Sequence, residues 1–193
     1  MSGAALAARK AVLRKAAYAR RKQAHTEADH AGPAATARLV SLLRSRSDLG
    51  IVAGYLPIRT EIDPRPAMTA LSEDGRKICV PIVEGRAQPL GFRRWTPGAA
   101  LQEGAFGAMV PLAGEACVPT TLIVPLLAFD AGCGRLGYGG GYYDRTLATL
   151  ARNGPVFSVG FAYAAQEVDA LPLAATDIRL DAVVTDAGVR GAA

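Results

Sequence analysis

Short apolar segments recur along the chain, separated by longer segments in which apolar and polar residues alternate with helical spacing. The apolar segments contain many β-branched residues and therefore predict buried strands. They are IVAGYLPI from position 51, KICVPIV from 77, TTLIVPLLAF from 120, VFSVGFAY from 156 and LDAVVTD from 180. PLGFRRW, from position 89, has a shorter strand-like pattern and predicts a hairpin with the strand before it.

The longer segments predict helices. Residues 5–28 contain many alanines, arginines and lysines, which are strong helix formers. A second helix is predicted after Pro33, a third over 67–74, and a fourth over YYDRTLATLAR from position 142. AAQEVDAL, from position 164, predicts a short helix.

Strands and helices alternate along the chain, which predicts βαβ units and a mainly parallel sheet with helices on both faces. Ligands of such sheets bind beyond the carboxyl ends of the strands. Three polar loops follow predicted strands and are expected to converge there: PIRTEID, AFDAGCGRLGYGGG and TDAG. No repeat or linker divides the sequence, so we predict a single domain over residues 1–193.

Composition narrows the class of protein. Half of the 193 residues are hydrophobic and a fifth are charged, as in ordinary globular proteins. The three cysteines are widely spaced and form no metal-binding motif, which favours a reducing cytoplasm. No apolar run is long enough to span a membrane. We expect a cytoplasmic protein with no membrane partner, either a monomer or a weak homo-oligomer.

Positive charge is concentrated near the N-terminus. Residues 1–46 contain ten Lys and Arg against two acidic residues, whereas the remainder contains twelve against fifteen. Three interpretations stay open: a nucleic-acid surface, a solvated helix face, and a few phosphate contacts to a small ligand. No nucleic-acid motif accompanies the charge, and Lys10 and Arg14 are four residues apart on one helix face.

The glycine-rich stretch RLGYGGGYYDR, Arg135–Arg145, joins a predicted strand to a predicted helix. Glycine tolerates positive φ and close approach of a ligand, and amide groups at a helix start can bind an anion. Arg135 and Arg145 add charge-assisted donors, and Asp144 offers oxygen to a divalent metal. The stretch lacks the P-loop pattern G-x-x-x-x-G-K-[ST]. It also fails the pattern G-x-G-x-x-G, because Tyr142 occupies the position of the last glycine. Taken alone, it leaves a phosphate site and a tight turn equally open.

Longer motifs resemble the 5-formyltetrahydrofolate cyclo-ligase family, also called 5,10-methenyltetrahydrofolate synthetases. The most specific motif is VPLLAFDAGCGRLGYGGGYYDRTL, Val124–Leu147, and the others are RKAVLRK, YLPIRTEID and TDIRLDAVVT, in the same order as in the family. The resemblance implies an α/β fold: a three-layer α/β/α sandwich with a mainly parallel sheet, similar to the sugar-phosphate isomerase and CoA-transferase group.

The resemblance also implies a reaction. Members use ATP as co-substrate and Mg²⁺ to cyclise 5-formyltetrahydrofolate to 5,10-methenyltetrahydrofolate, releasing ADP and phosphate. ATP phosphorylates the formyl oxygen, N10 attacks the formyl carbon, and phosphate leaves. This carbon–nitrogen ligase chemistry needs no protein nucleophile, so the protein positions the substrates and stabilises charge. The implied partners are small molecules, not nucleic acid.

Site residues follow from the resemblance position by position. The nucleotide is assigned to Lys10, Arg14, Arg135, Leu136, Gly137, Tyr138, Gly139, Gly140, Gly141 and Tyr142. The folate is assigned to Leu56, Glu61, Trp95 and Tyr143, with Phe92 as a further ring contact. Magnesium is assigned to Asp144 and Asp181. Catalysis is assigned to Arg135, Tyr143 and Arg145. Arg145 is included because some members carry a lysine at the Gly140 position, and Arg145 is the candidate to replace its charge.

Three alternatives remain at this point. One is a different enzyme on the same fold, a sugar-phosphate isomerase or CoA-transferase relative that binds an anion without ATP. Another is a basic RNA-binding module, whose affinity would fall steeply with salt. The third is a folate-binding protein without turnover.

Overall fold

The computed structural model describes residues 3–27 and 31–191, and these form four α-helices and eleven strands. The helices are α1 (Gly3–Glu27), α2 (Ala31–Arg44), α3 (Arg65–Glu73) and α4 (Tyr142–Ala151). The first six strands are β1 (Val52–Ala53), β2 (Ile78–Val83), β3 (Leu90–Trp95), β4 (Leu101–Glu103), β5 (Met109–Pro111) and β6 (Thr121–Val124). The others are β7 (Ala128–Phe129), β8 (Arg135–Leu136), β9 (Phe157–Phe161), β10 (Ala182–Val184) and β11 (Val189–Gly191).

Seven strands form one sheet in the order β11-β10-β9-β6-β1-β2-β3. The five inner strands are parallel, and β3 and β11 pair antiparallel at the two edges. The predicted mainly parallel sheet is therefore confirmed, and so is the hairpin formed by β2 and β3. The register pairs Val52 with both Ile78 and Thr121, so β1 is an inner strand between β2 and β6. The short pairs β4–β5 and β7–β8 are separate ribbons.

Side chains alternate between the two faces of the sheet, and each face has its own core. Val52, Ile78 and Ile123 pack into the cluster that contains α2 and α3. Ala53 and Leu122 pack on the opposite face, into the cluster that contains Leu147 of α4. Helices thus cover both faces of the sheet, and the fold is a three-layer α/β/α sandwich.

The observed elements refine the predicted ones. The segment from position 120 ends as a sheet strand at Val124, because Pro125 has no N–H for the ladder, and pairing resumes in β7. The segment from position 51 forms only a two-residue strand. The predicted helix from position 164 is a single 3₁₀ turn, Ala164–Gln166. Residue 28, the predicted end of the first helix, lies outside the described residues.

Helix α1 turns a polar face toward the protein. Lys10, Arg14, Tyr18 and Arg21 share this face, because steps of four, four and three residues stay within one side of a helix. Each of the four side chains contacts a residue far away in sequence. The buried Ala17 lies between them and packs on Leu127 and Leu136. Between residues 3 and 27 and between 31 and 191, the protein has no helix both long and apolar enough to cross a membrane.

Candidate active site

A cleft of about 300 Å³ opens beyond the carboxyl ends of the central strands. Tyr55 and Leu56 follow β1, and Pro125 follows β6, so the strand order brings these positions to one edge of the sheet. Helix α1 and the glycine loop, residues 137–141, close the cleft from the other side. Of the three loops expected to converge, PIRTEID and the glycine loop do meet here, whereas TDAG does not line the cleft.

Two basic side chains of α1 enter the cleft. Lys10 forms an ion pair with Asp177, whose Oδ2 also accepts a hydrogen bond from the backbone N–H of Ala174 at 2.7 Å. Arg14 donates its Nε–H to the carbonyl oxygen of Gly137 at 2.9 Å. The Arg14 contact fixes α1 against the glycine loop, and the Lys10 contact fixes it against the Asp177 segment.

The glycine loop has a conformation that side chains would prevent. Gly139 has a φ of 99° and Gly141, which precedes the first residue of α4, has a φ of 65°. Both values lie in the left-handed region that glycine tolerates best. A Cβ at Gly139 would lie 3.2 Å from the guanidinium carbon of Arg14. The loop therefore needs glycine both for its backbone angles and for the approach of the basic side chain.

Arg135 and Asp144 form an ion pair at the start of α4. Nη2 of Arg135 donates to Oδ1 of Asp144 at 2.7 Å, and the backbone N–H of Ile178 donates to the same oxygen at 3.1 Å. The arginine is buried, and its Nε has no hydrogen-bond partner among the described residues. Because Ile178 follows Asp177, this contact also brings the Asp177 segment toward α4.

Glu61 is a buried carboxylate in the lining of the cleft. It is 6% exposed, and its Oε2 accepts a hydrogen bond from the backbone N–H of Ile58 at 2.9 Å. The hydroxyl of Tyr138 donates to Oε1 at 2.5 Å. Burial raises the pKa of Glu61, and these two hydrogen bonds and the guanidinium of Arg21 oppose that rise.

Two tyrosines of the cleft remain neutral phenols over the physiological pH range. Burial raises the pKa of Tyr143 well above its ordinary value, and the charge of Glu61 adds to the rise. The pKa of Tyr138 is raised by burial and by the same carboxylate. Tyr143 also places its ring beside the guanidinium of Arg135, 5.6 Å from the ring centroid. Both hydroxyls can therefore donate hydrogen bonds without releasing a proton.

Most sequence-predicted site residues lie together in this cleft. They are Lys10, Arg14, Leu56, Glu61, Arg135, Leu136, Gly137, Tyr138, Gly139, Gly140, Gly141, Tyr142, Tyr143 and Asp144. The cleft thus combines the glycine loop and three basic side chains with a buried carboxylate, and the Tyr138 hydroxyl connects the loop to that carboxylate.

The expectation that Asp181 joins Asp144 at a metal is wrong. Asp181 precedes β10, at the amino end of the parallel strands, and lines a second cleft together with Thr121 and Phe157. Its Oδ2 accepts hydrogen bonds from the N–H and the hydroxyl of Ser158, both at 2.7 Å. The carboxylate therefore ties β10 to β9 at the opposite edge of the sheet. Asp177, four residues earlier, is the carboxylate of this segment that lines the main cleft.

Three other expected contacts are also absent from the cleft lining. Trp95 is 5% exposed and packs in the core beneath α2 and α3, because the last residue of β3 points to that face. Phe92 is buried in the core on the opposite face. Arg145 donates to the carbonyl oxygens of Gly140 and Gln88, at 2.8 and 3.3 Å, so it supports the glycine loop from outside.

The cleft also contains residues that sequence reasoning missed. Asp177 is one of them, and Phe106 is another, on the β4–β5 ribbon, with its ring centroid 5.9 Å from that of Tyr142. Arg21 lies behind the cleft, 1% exposed, in contact with Tyr138. The 10-14-18-21 spacing on α1 was the available signal for Arg21, whereas nothing in the sequence distinguished Phe106.

A family model describing the 5-formyltetrahydrofolate cyclo-ligase family matches residues 6–186. The chain belongs to that family. The 5-formyltetrahydrofolate cyclo-ligase of Escherichia coli (strain K12) is 35% identical over 144 residues, which cover 72% of this chain and 79% of the relative. The Haemophilus influenzae cyclo-ligase is 31% identical over 151 residues, covering 75% and 80%. This cyclo-ligase family member is thus a ligase of folate one-carbon metabolism.

Solved structures agree with this assignment. The NMR structure of Aquifex aeolicus 5,10-methenyltetrahydrofolate synthetase matches with a TM-score of 0.74 and 33% identity, covering 94% of this chain and 92% of that one. A 5,10-methenyltetrahydrofolate synthetase from Mycoplasma pneumoniae matches with a TM-score of 0.71 and 24% identity, covering 92% and 98%, and supports the fold alone. The predicted family and the predicted α/β fold of this cyclo-ligase are both confirmed.

Proposed function

We propose that this cyclo-ligase uses ATP and Mg²⁺ to convert 5-formyltetrahydrofolate to 5,10-methenyltetrahydrofolate, with release of ADP and phosphate. The observation that carries the proposal is one cleft in which basic side chains and a glycine loop face a buried carboxylate. Phosphate groups are bound by cations and backbone amides, and the donor-rich edge of a pterin is bound by a carboxylate. The two sides of the cleft match the two substrates.

On the phosphate side, Lys10, Arg14 and Arg135 supply positive charge beside residues 137–141. Lys10 and Arg14 are held by Asp177 and by the Gly137 carbonyl, so both are oriented before a nucleotide binds. Such preorganisation lowers the cost of binding a multiply charged ligand. We assign ATP phosphates to this side, along the backbone of Gly139, Gly140 and Gly141 and the first turn of α4.

On the folate side, Glu61 is the polar anchor, and Leu56, Ile58, Val83 and Leu90 provide apolar walls. A carboxylate accepts two parallel N–H donors, which suits an aminopyrimidinone edge. Tyr143 lines the cleft, and the charges of both Glu61 and Arg135 act on its hydroxyl. We assign it the role of a neutral donor near the formyl oxygen, because its raised pKa keeps the hydroxyl protonated.

The reaction requires charge stabilisation more than proton transfer. The formyl oxygen attacks the γ-phosphorus of ATP and ADP leaves, after which N10 attacks the formyl carbon and the phosphate departs with the formyl oxygen. Negative charge is spread over the transferred phosphoryl group in the first step. Arg135 is the fixed cation we assign to that charge. For Arg145 we propose the narrower task of holding the Gly140 carbonyl.

Asp144 and Asp177 are the residues we propose as magnesium ligands. Both line the cleft, and carboxylate oxygen is the donor that Mg²⁺ prefers. Oδ2 of Asp144 accepts no hydrogen bond from residues 3–27 or 31–191, so it is available to a cation. Two carboxylates suit an ion that takes its other ligands from phosphate and water. When bound, the ion neutralises phosphate charge and orients the γ-phosphoryl group.

Several broader expectations remain proposals. We infer that residues 1–193 act as one domain, because one sheet extends across the chain and the family match covers residues 6–186. We infer a cytoplasmic enzyme whose partners are its small-molecule substrates, acting as a monomer or weak homo-oligomer. The free thiols of Cys79, Cys117 and Cys133 are consistent with a reducing compartment.

The experiment that tests the proposed reaction follows the absorbance of the methenyl product. Purified protein, 5-formyltetrahydrofolate, ATP and Mg²⁺ are combined, and each component is omitted in turn. Product that requires all four components is the expected result. A folded protein that forms no product would reject the activity and leave the family match as a statement about ancestry.

A further inference from the structure

Arg21 is a fully buried arginine with no role in the site described so far. It is 1% exposed, and its Nη2 has no hydrogen-bond partner among the described residues. Burying a guanidinium is costly, and leaving one of its nitrogens unpaired adds to the cost. An apolar side chain would fill the same space at a lower cost in desolvation free energy. The location of the charge therefore calls for an explanation beyond packing.

The contacts of Arg21 lead directly to the folate side of the cleft. Its Nη1 donates to the hydroxyl of Tyr138 at 2.6 Å, and that hydroxyl donates to Oε1 of Glu61 at 2.5 Å. Nη1 also lies 3.8 Å from the same carboxylate oxygen. Nε donates to the hydroxyl of Thr60 at 3.1 Å, next to Glu61 in the chain. Arg21, Tyr138 and Glu61 thus form a continuous chain from α1 to the cleft.

Ring contacts fix the geometry of this chain. The guanidinium of Arg21 lies 5.5 Å from the ring centroid of Tyr138 and 5.7 Å from that of Tyr18. The two tyrosine rings are 5.7 Å apart and tilted. Only the Tyr138 hydroxyl reaches Glu61, whereas the Tyr18 hydroxyl accepts a hydrogen bond from Arg59 at 3.2 Å. The two tyrosines therefore contact the same arginine but differ in their relation to the carboxylate.

The charges around Glu61 decide whether its carboxylate stays ionised. Burial is the largest influence and favours the neutral acid, and Arg21 and Arg59 are the cations that oppose it. The neighbouring Tyr55, Tyr138 and Tyr143 are neutral, and Lys10, Arg14, Asp144 and Asp177 line the same cleft. Arg59 is an exposed loop residue whose field is screened by water. Arg21 is the cation that is buried with Glu61.

We propose that Arg21 and Tyr138 are positioning residues that keep Glu61 ionised and oriented for the folate substrate. Tyr138 belongs to the glycine loop, so sequence reasoning assigned it to the nucleotide, yet its hydroxyl bonds to the folate-side carboxylate. Arg21 acts through Tyr138 and through its own field. This inference rests on the proposed function, because it assumes that Glu61 binds 5-formyltetrahydrofolate.

The direct test is Tyr138→Phe, which removes one hydroxyl and keeps the ring. Without this donor the pKa of Glu61 rises, so its ionised fraction falls at a higher pH than in the parent protein. The Kd for 5-formyltetrahydrofolate, titrated without ATP, should increase by about tenfold at the acid end of the pH profile and much less at its alkaline end. The KM for ATP should remain within about twofold, whereas a nucleotide role for the hydroxyl predicts the opposite split.

Tyr18→Phe is the matched control. It removes a tyrosine hydroxyl beside the same arginine but leaves the hydrogen bond to Glu61 intact. Its folate affinity should follow the pH profile of the parent protein. An equal loss in both variants would mean that the effect is general destabilisation, and would overturn the proposal.

Arg21 itself is tested with Arg21→Gln and Arg21→Lys. The neutral variant should shift the acid limb of folate binding upward by about one pH unit, and the lysine variant should restore part of that shift by returning the charge. If Arg21→Gln does not fold, Tyr138→Phe still decides the question. Folate binding by Tyr138→Phe that matches the parent at every pH refutes the inference. A parent protein that does not bind 5-formyltetrahydrofolate refutes the proposed function instead.

Discussion

Arg135 and Asp144 are joined by a 2.7 Å contact between Nη2 and Oδ1 in the cleft, and the backbone N–H of Ile178 binds the same oxygen. This relationship links the two residues that flank the glycine loop to the segment that carries Asp177. It brings Arg135, the cation that we assign to phosphoryl charge, next to the carboxylate that we assign to magnesium.

Asp177→Asn should lower magnesium-dependent turnover by on the order of 10²-fold, because an amide is a much weaker ligand for Mg²⁺ and cannot pair with Lys10. Asp181→Asn is the control, since Asp181 lies at the opposite edge of the sheet. Magnesium titrations of initial rate compare the two variants. A loss in Asp181→Asn equal to that in Asp177→Asn would restore the assignment made from sequence and contradict the structural one.

Lys10→Ala should raise the KM for ATP about tenfold or more and change the KM for 5-formyltetrahydrofolate much less, because its ammonium lies on the phosphate side. Lys15→Ala removes an exposed lysine from the same helix and should leave both constants near the parent values. Steady-state rates with each substrate varied in turn provide the comparison. Equal increases in both constants for Lys10→Ala would argue against a phosphate contact.

Gly139→Ala should weaken ATP binding strongly, since its Cβ would lie 3.2 Å from Arg14 and the φ of 99° strains any side chain. Gly98→Ala is the matched control, with a φ of 77° and open space around the added Cβ. Both variants should lose about 1 kcal/mol of unfolding free energy, measured by denaturant titration. Isothermal titration with ATP should then separate them, and unchanged affinity in Gly139→Ala would remove the loop from the nucleotide site.

Glu61→Gln should weaken 5-formyltetrahydrofolate binding by about tenfold at neutral pH, because the amide offers one acceptor and no charge. The sign of the pH effect follows from the raised pKa of the buried acid. In the parent protein, affinity is full above that pKa and falls as pH drops through it. The variant has no such group, so its affinity should lack this acid limb. An acid limb that persists in Glu61→Gln would place the titrating group elsewhere.

Much of the fold could be predicted from the sequence, because buried parallel strands are short apolar runs and the glycine loop separates one of them from a helix. The residues at which the strands end were harder to predict from the sequence. Whether Pro125 ends the ladder depends on which neighbours pair there, and pairing is a long-range property. The cleft lining could be predicted where motifs carried it: Lys10 and Arg14 on α1, Leu56 and Glu61 after β1, and the stretch from Arg135 to Asp144.

Asp181 and Trp95, together with Phe92 and Arg145, are predicted contacts that lie outside the cleft lining. Asp177 and Asp181 are four residues apart, and the sequence does not say which one lies in the loop and which precedes the strand. Trp95 lies five residues after Leu90, which lines the cleft, but its position in β3 turns its side chain toward the core. The side-chain direction of Trp95 is set by the pairing register of β3. The locations of the two aspartates depend instead on where β10 begins.

The measurement that tests the central claim most directly is the fate of the formyl oxygen. 5-Formyltetrahydrofolate labelled with ¹⁸O in the formyl group is converted with ATP and Mg²⁺, and the released phosphate is analysed by mass spectrometry. Transfer of the γ-phosphoryl group to that oxygen predicts one ¹⁸O in each phosphate formed. Methenyl product accompanied by unlabelled phosphate would contradict phosphorylation of the formyl oxygen and the charge-stabilising role assigned to the cleft.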